Sequence, residues 1–163
     1  MYGGNTEWNY LLEKLKVETD EKTARELVQA LALTTNKKNI QKYLNMSLNL
    51  NIVGLKNFKL LINSMVTTTI GSNHVITFLK DNWALILKRY ALVPFYMTHL
   101  IEWGFGHIMD EEVYVDTKVF LATHPLGSGV TAAQQVMNSV RYNIIWLKKN
   151  ERDIVEWLMN NTS

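Results

Sequence analysis

The chain contains no cysteine, which excludes a disulfide framework, a Cys-ligated zinc site and a thiol nucleophile. That absence leaves the compartment open, because secreted proteins without cysteine exist. Proline and glycine are scarce, at two and eight in 163 residues. This is about half the usual share, too little punctuation for a turn-rich β-sandwich or barrel. Net charge is also small: 17 basic and 15 acidic residues leave +2. There is no dense Lys/Arg run; Lys37-Lys38 and Lys148-Lys149 with Arg152 come nearest. A nucleic-acid partner would want a concentrated basic stripe, so none is expected. No apolar run approaches the roughly 20 residues of a membrane span. The longest, residues 91–97, is broken by Pro94. The opening Met1-Tyr2-Gly3-Gly4-Asn5 lacks an apolar core, so no signal peptide is expected.

What is present is apolar residues, 47% of the chain, ample for one well-buried domain. Their spacing is helical. Trp8, Leu11, Leu12 and Leu15 share one helix face, as do Ala24, Leu27, Val28 and Leu31, with Thr19 or Asp20 as cap. Ile40, Tyr43, Leu44 and Leu48 mark a third helix, and Leu55, Phe58, Ile62 and Met65 a fourth. Gly71 is expected to break the chain before a long helix over 72–90, striped by Val75, Phe78, Leu79, Trp83, Ile86 and Tyr90. Pro94 suits the first turn of the next helix, which runs towards Gly104-Phe105-Gly106. A helix over 110–120 follows. A long one then carries Val130, Ala133, Met137, Val140, Ile144 and Leu147, and a short last one Ile154, Trp157 and Leu158. Only Val113-Tyr114-Val115 is β-prone, and it is isolated. About nine helices with short joints predict an all-α fold, a bundle or a stack of antiparallel helix pairs as in an α-solenoid.

Catalytic motifs are missing. H-E-x-x-H, the P-loop, G-x-G-x-x-G and G-x-S-x-G are all absent. Gly104-Phe105-Gly106 and Gly127-Ser128-Gly129 are lone G-x-G turns. Of the four histidines, His99 and His107 flank Glu102, but Gly104 and Gly106 are expected to end that helix before the three can meet. Asp110, Glu111, Glu112 and Asp116 could supply an acid–base pair, yet at a helix start they read as dipole-compensating charges. Trp8, Trp83, Trp103, Trp146 and Trp157 read as core at their helical spacing. Asn45-Met46-Ser47, Asn160-Asn161-Thr162 and Asn161-Thr162-Ser163 are sequons, expected by chance in so Asn-rich a chain. No catalytic, metal or cofactor-binding residue is therefore assigned.

Longer words carry more. Gly3-Gly4-Asn5-Thr6-Glu7-Trp8 precedes Arg25-Glu26-Leu27-Val28-Gln29-Ala30-Leu31-Ala32 and Tyr43-Leu44-Asn45-Met46-Ser47-Leu48-Asn49. Gly71 leads into Phe78-Leu79-Lys80-Asp81-Asn82-Trp83 and Lys88-Arg89-Tyr90. The end reads Val119-Phe120-Leu121, then Asn143-Ile144-Ile145-Trp146-Leu147 and Ile154-Val155-Glu156-Trp157-Leu158. From Gly3 to Leu158 this ordered series resembles the C-terminal helical domain of the aminopeptidase N-like zinc metallopeptidases. Two positions depart from that pattern. Where the family has Asn-Pro-x-Gly followed by Arg, this chain has Thr68-Thr69-Ile70-Gly71-Ser72; where it has Glu before Asn-x-x-Trp, this chain has Asn138.

The resemblance implies a HEAT/ARM-like superhelix that caps an active site, encloses a peptide cavity and often mediates homodimers. It implies a parent enzyme that removes N-terminal residues from peptides. Its zinc, H-E-x-x-H and G-x-M-E-N lie in a preceding catalytic domain, the expected partner. Residues 1–163 would then be one C-terminal domain, a piece of a longer chain without activity alone. The parent would be an extracellular, membrane-anchored ectoenzyme, with cytoplasmic members as exceptions. The alternative is a free-standing helical-repeat module that binds a protein or peptide. An unrelated small enzyme would have only His99, Glu102 and His107 to work with.

Overall fold

A computed structural model describes residues 4–49 and 51–161, apart from the side chains of Leu55 and Lys56. The readings made at Met1-Tyr2-Gly3, at the Leu55 anchor and at Thr162-Ser163 fall outside the described residues. The fold is all-α. The helices are α1 (Asn5–Val17), α2 (Glu21–Ala32), α3 (Lys37–Ser47), α4 (Gly54–Met65), α5 (Thr69–Asp81), α6 (Trp83–Tyr90), α7 (Tyr96–Phe105), α8 (Glu111–Thr123) and α9 (Val130–Asn161). A 3-10 turn, Gly127–Gly129, leads into α9. No strand occurs among the described residues.

The starts of the helices follow from their caps. Asp20, not Thr19, caps α2, accepting from the Thr23 amide at 2.7 Å. Asn36 caps α3 through the amides of Lys38 and Asn39. Asp110 caps α8 through Val113 at 3.0 Å. Each satisfies an orphan amide of the first turn.

Helix pairs stack in two rows. In the front row α2, α4, α7 and α9 lie side by side, each packed extensively on the next. Behind them α1 packs on α2, α5 on α4 and α7, and α8 on α9, with α3 beside α5. The front row is joined by apolar packing through Val28, Leu31, Leu61, Ile62, Leu100, Ile101 and Val140, all buried. Polar bridges tie parts of the back row: Lys42 Nζ to Asn9 Oδ1 at 3.2 Å joins α3 to α1, and Lys80 to Asp116 at 2.6 Å joins α5 to α8.

Four expectations need correction. The helix over 72–90 is two, because Asn82 leaves helical geometry and its side-chain amide donates to the Phe78 carbonyl at 2.9 Å. That local bond offers the backbone an alternative to the helix ladder. Conversely, the last two helices are one, since nothing between 130 and 161 is Pro or Gly. Gly71 does not break the chain: it lies in the first turn of α5, where its amide donates to Thr68 Oγ1 at 3.0 Å. A Cβ there would collide with the Met65 carbonyl. Pro94 sits in the turn before α7 rather than in its first turn, and Phe95 takes a left-handed φ of 58° as the helix enters.

Candidate functional site

One set of chemistry-bearing side chains lies on the front row. On α2, Glu21 and Arg25 are one turn apart; on α4, Asn57, Leu60 and Asn63 repeat every three residues; Trp103 faces them from α7. With Lys59 they line a groove of about 170 Å³. Lys59 is half-buried, and its ammonium lies 5.5 Å from the Tyr96 ring centroid and 5.3 Å from that of Trp103. It also lies 3.2 Å from His99 Nδ1. His99 stacks on Trp103, one turn along α7, at 5.3 Å. Behind this pair Tyr96 stacks on Tyr90 at 4.1 Å, and Tyr90 on Phe58 at 5.5 Å. Burial pushes the Tyr96 and Tyr90 phenols up, so both stay neutral. The stacked column thus orients one cation at the mouth of a groove that also holds a guanidinium and two carboxamides. The lining has no serine, threonine or cysteine.

The residues weighed from sequence do not converge. Gly106 ends α7 as expected, leaving His107 exposed beyond it. His107 lines a different groove with Thr69, Ser72 and Asp110. His99, Glu102 and His107 therefore form no common site. The acidic set is likewise dispersed: Asp110 caps α8, Glu111 pairs with Lys148 at 2.8 Å and Asp116 with Lys80. Among the described residues no group of three His, Cys, Asp or Glu could hold a metal ion. The residues present thus do not fit the zinc that the resemblance implies for the parent. In the Asn45 sequon the Ser47 hydroxyl is buried inside α3 and donates to the Leu44 carbonyl at 2.6 Å.

Two tryptophans overturn the core reading. Trp8 and Trp83 are buried, with indole N–H groups donating to Leu31 and Pro125 carbonyls at 3.0 and 2.9 Å. Trp103 is half-buried. Trp146 and Trp157, however, are 55% and 63% exposed. The last buried position of α9 is Ile144, and the helix runs on to Asn161, roughly 25 Å further at 1.5 Å per residue. Along that stretch Ile145, Ile154 and Val155 are exposed too. At about 100° per residue, Trp146, Trp157, Ile154, Leu147 and Leu158 fall within about a third of the circumference, an apolar stripe of ordinary width interrupted by Asn150. Helical spacing shows that residues share a face; it does not show that anything covers that face.

Comparison with known proteins decides the family. The family described as ERAP1-like C-terminal domain matches residues 1–142. The chain belongs to that family. Among curated relatives it is 24% identical to endoplasmic reticulum aminopeptidase 2 of Homo sapiens over 156 residues, covering 95% of this chain and 16% of that protein. It is 25% identical to aminopeptidase N of Canis lupus familiaris over 163 residues, covering 98% and 17%. It is 26% identical to aminopeptidase N of Mus musculus over 165 residues, covering 99% and 17%. The chain thus spans about a sixth of the length of the relatives it matches. The Lys59 cluster was not foreseen from sequence. Its one trace there is a lysine directly after Phe58 in an otherwise apolar stripe. No helix among the described residues is long and apolar enough to cross a membrane.

Proposed function

We propose that residues 1–163 form the C-terminal domain of a longer zinc aminopeptidase and are not catalytic alone. In this reading the front row faces the catalytic domain of the same polypeptide, caps its active site and closes the cavity that holds the peptide. Zinc belongs to that preceding domain. By resemblance, the parent is a membrane-anchored ectoenzyme.

The observation that carries the reading is the apolar stripe on the last turns of α9, where Trp146, Ile154, Trp157 and Leu158 are exposed. An amphipathic helix gains its stability from packing its apolar stripe, and an isolated one is marginal in water. Relatives about six times longer supply the mass for that packing.

Within the cap, Arg25, Lys59, Asn57 and Asn63 are the groups that would meet substrate. A stiff wall of stacked helices would exclude water and limit how a peptide lies, which serves orientation at a distant centre. The test is turnover of aminoacyl-arylamides by the purified chain with and without added zinc. None is expected, and turnover above background would overturn the assignment.

A further inference from the structure

The back row carries a second groove, unrelated to the Lys59 cluster. It lies between α3 and α5 and has a volume of about 510 Å³. Its floor is Leu44 and Phe78, both buried. Its walls bear polar groups at one-turn intervals: Gln41 and Asn45 on α3; Asn73, Thr77 and Asp81 on α5. Thr77 is spent on its own helix, donating to the Asn73 carbonyl at 3.2 Å. The side chains of Gln41, Asn45, Asn73 and Asp81 make no hydrogen bond or ion pair with other described residues.

Carboxamides one turn apart present donor and acceptor together roughly every 6 Å along a helix. Two residues of an extended polypeptide advance roughly 6.6 Å, and each second residue turns the same way. The two repeats match over the one turn between Gln41 and Asn45, the length of about two extended residues, with Asn73 on the opposite wall. Each carboxamide can then take both the N–H and the C=O of a facing peptide unit. The floor offers apolar contact to alternate side chains, and Asp81 offers a carboxylate to a basic one. A sugar would want an exposed aromatic face to stack on; Phe78 is 6% exposed, and the other ring of the lining, His74, is tied by Nδ1 to the Ile70 carbonyl at 2.9 Å. A nucleic acid would want Lys or Arg, and the lining has neither.

We propose that the α3–α5 groove binds an extended polypeptide segment through its main chain, using the carboxamides of Gln41, Asn45 and Asn73, with a basic side chain on Asp81. The test is titration of acetyl-Ala-Leu-Ala-Arg-Ala-amide into the ¹⁵N-labelled full chain. Saturable shifts confined to α3 and α5 are expected. Asn45→Ala with Asn73→Ala should weaken binding by roughly tenfold or more, as should N-methylation of the peptide amides. Both positions are exposed, so the amide spectrum will report a retained fold. No saturable shift, binding indifferent to the double variant or to N-methylation, or binding of chitotriose in place of the peptide would each overturn the proposal.

Discussion

Lys59 Nζ lies 3.2 Å from His99 Nδ1, and the His99 ring stacks on Trp103 at 5.3 Å; in a hydrogen bond across that gap the ammonium donates and Nδ1 accepts. An ammonium has no lone pair to give, which settles the direction of that bond. Nitrogen-detected NMR at neutral pH should find His99 in the Nε2–H tautomer. A proton on Nδ1 would refute the arrangement. Lys59→Met keeps an apolar stem but loses two cation–π contacts. It should cost about 1 kcal/mol in urea unfolding.

Gly71 owes its place to contact rather than to freedom of φ. In Gly71→Ala the new Cβ must displace the Met65 carbonyl, which is backbone, as well as the Thr68 cap. We expect a loss of about 1–3 kcal/mol in chemical denaturation. An unchanged midpoint would show that the α4–α5 joint is looser than described.

Asp20 gives a pH dependence of known sign. Hydrogen bonds from the Thr23 amide and side chain hold its carboxyl below the usual carboxylate range. A group whose folded value is lowered stabilises above its unfolded value and loses that contribution as pH falls through the folded one. Stability should therefore decline in acid, with α2 fraying first, and Asp20→Asn should flatten that decline. Amide exchange of residues 21–24 between neutral and acid pH checks it.

The tryptophans separate core from surface. Trp83 packs on Phe105 and Phe120 with its N–H satisfied, so Trp83→Ala should cost about 3–5 kcal/mol. Trp146→Ala and Trp157→Ala in this chain should stay within about 0.5 kcal/mol, as surface changes do. A large loss at either would mean that α9 is covered.

Much of the fold was legible because burial follows period. Leu12, Val28, Ile40, Phe58, Leu79 and Val140 were placed on core faces by spacing, and all are buried. The helix count also held, but through two opposite shifts: Asn82 splits one predicted helix, and uninterrupted sequence fuses two others. Asn82 acts through a single side-chain bond to Phe78, which apolar spacing cannot register. The grooves were less legible. Lys59 meets His99 across 40 residues, and Gln41 and Asn73 line one groove from two helices, so both arrangements are products of packing. Trp146 shows the converse limit, since its partner lies outside these residues in our reading.

That reading is tested most directly by hydrogen exchange over residues 145–161, measured in this chain and in the full-length polypeptide. The account predicts fast exchange here and strong protection there, with protection lost in the Trp146→Ala, Trp157→Ala double variant. Equal exchange in both would contradict a domain that docks through α9.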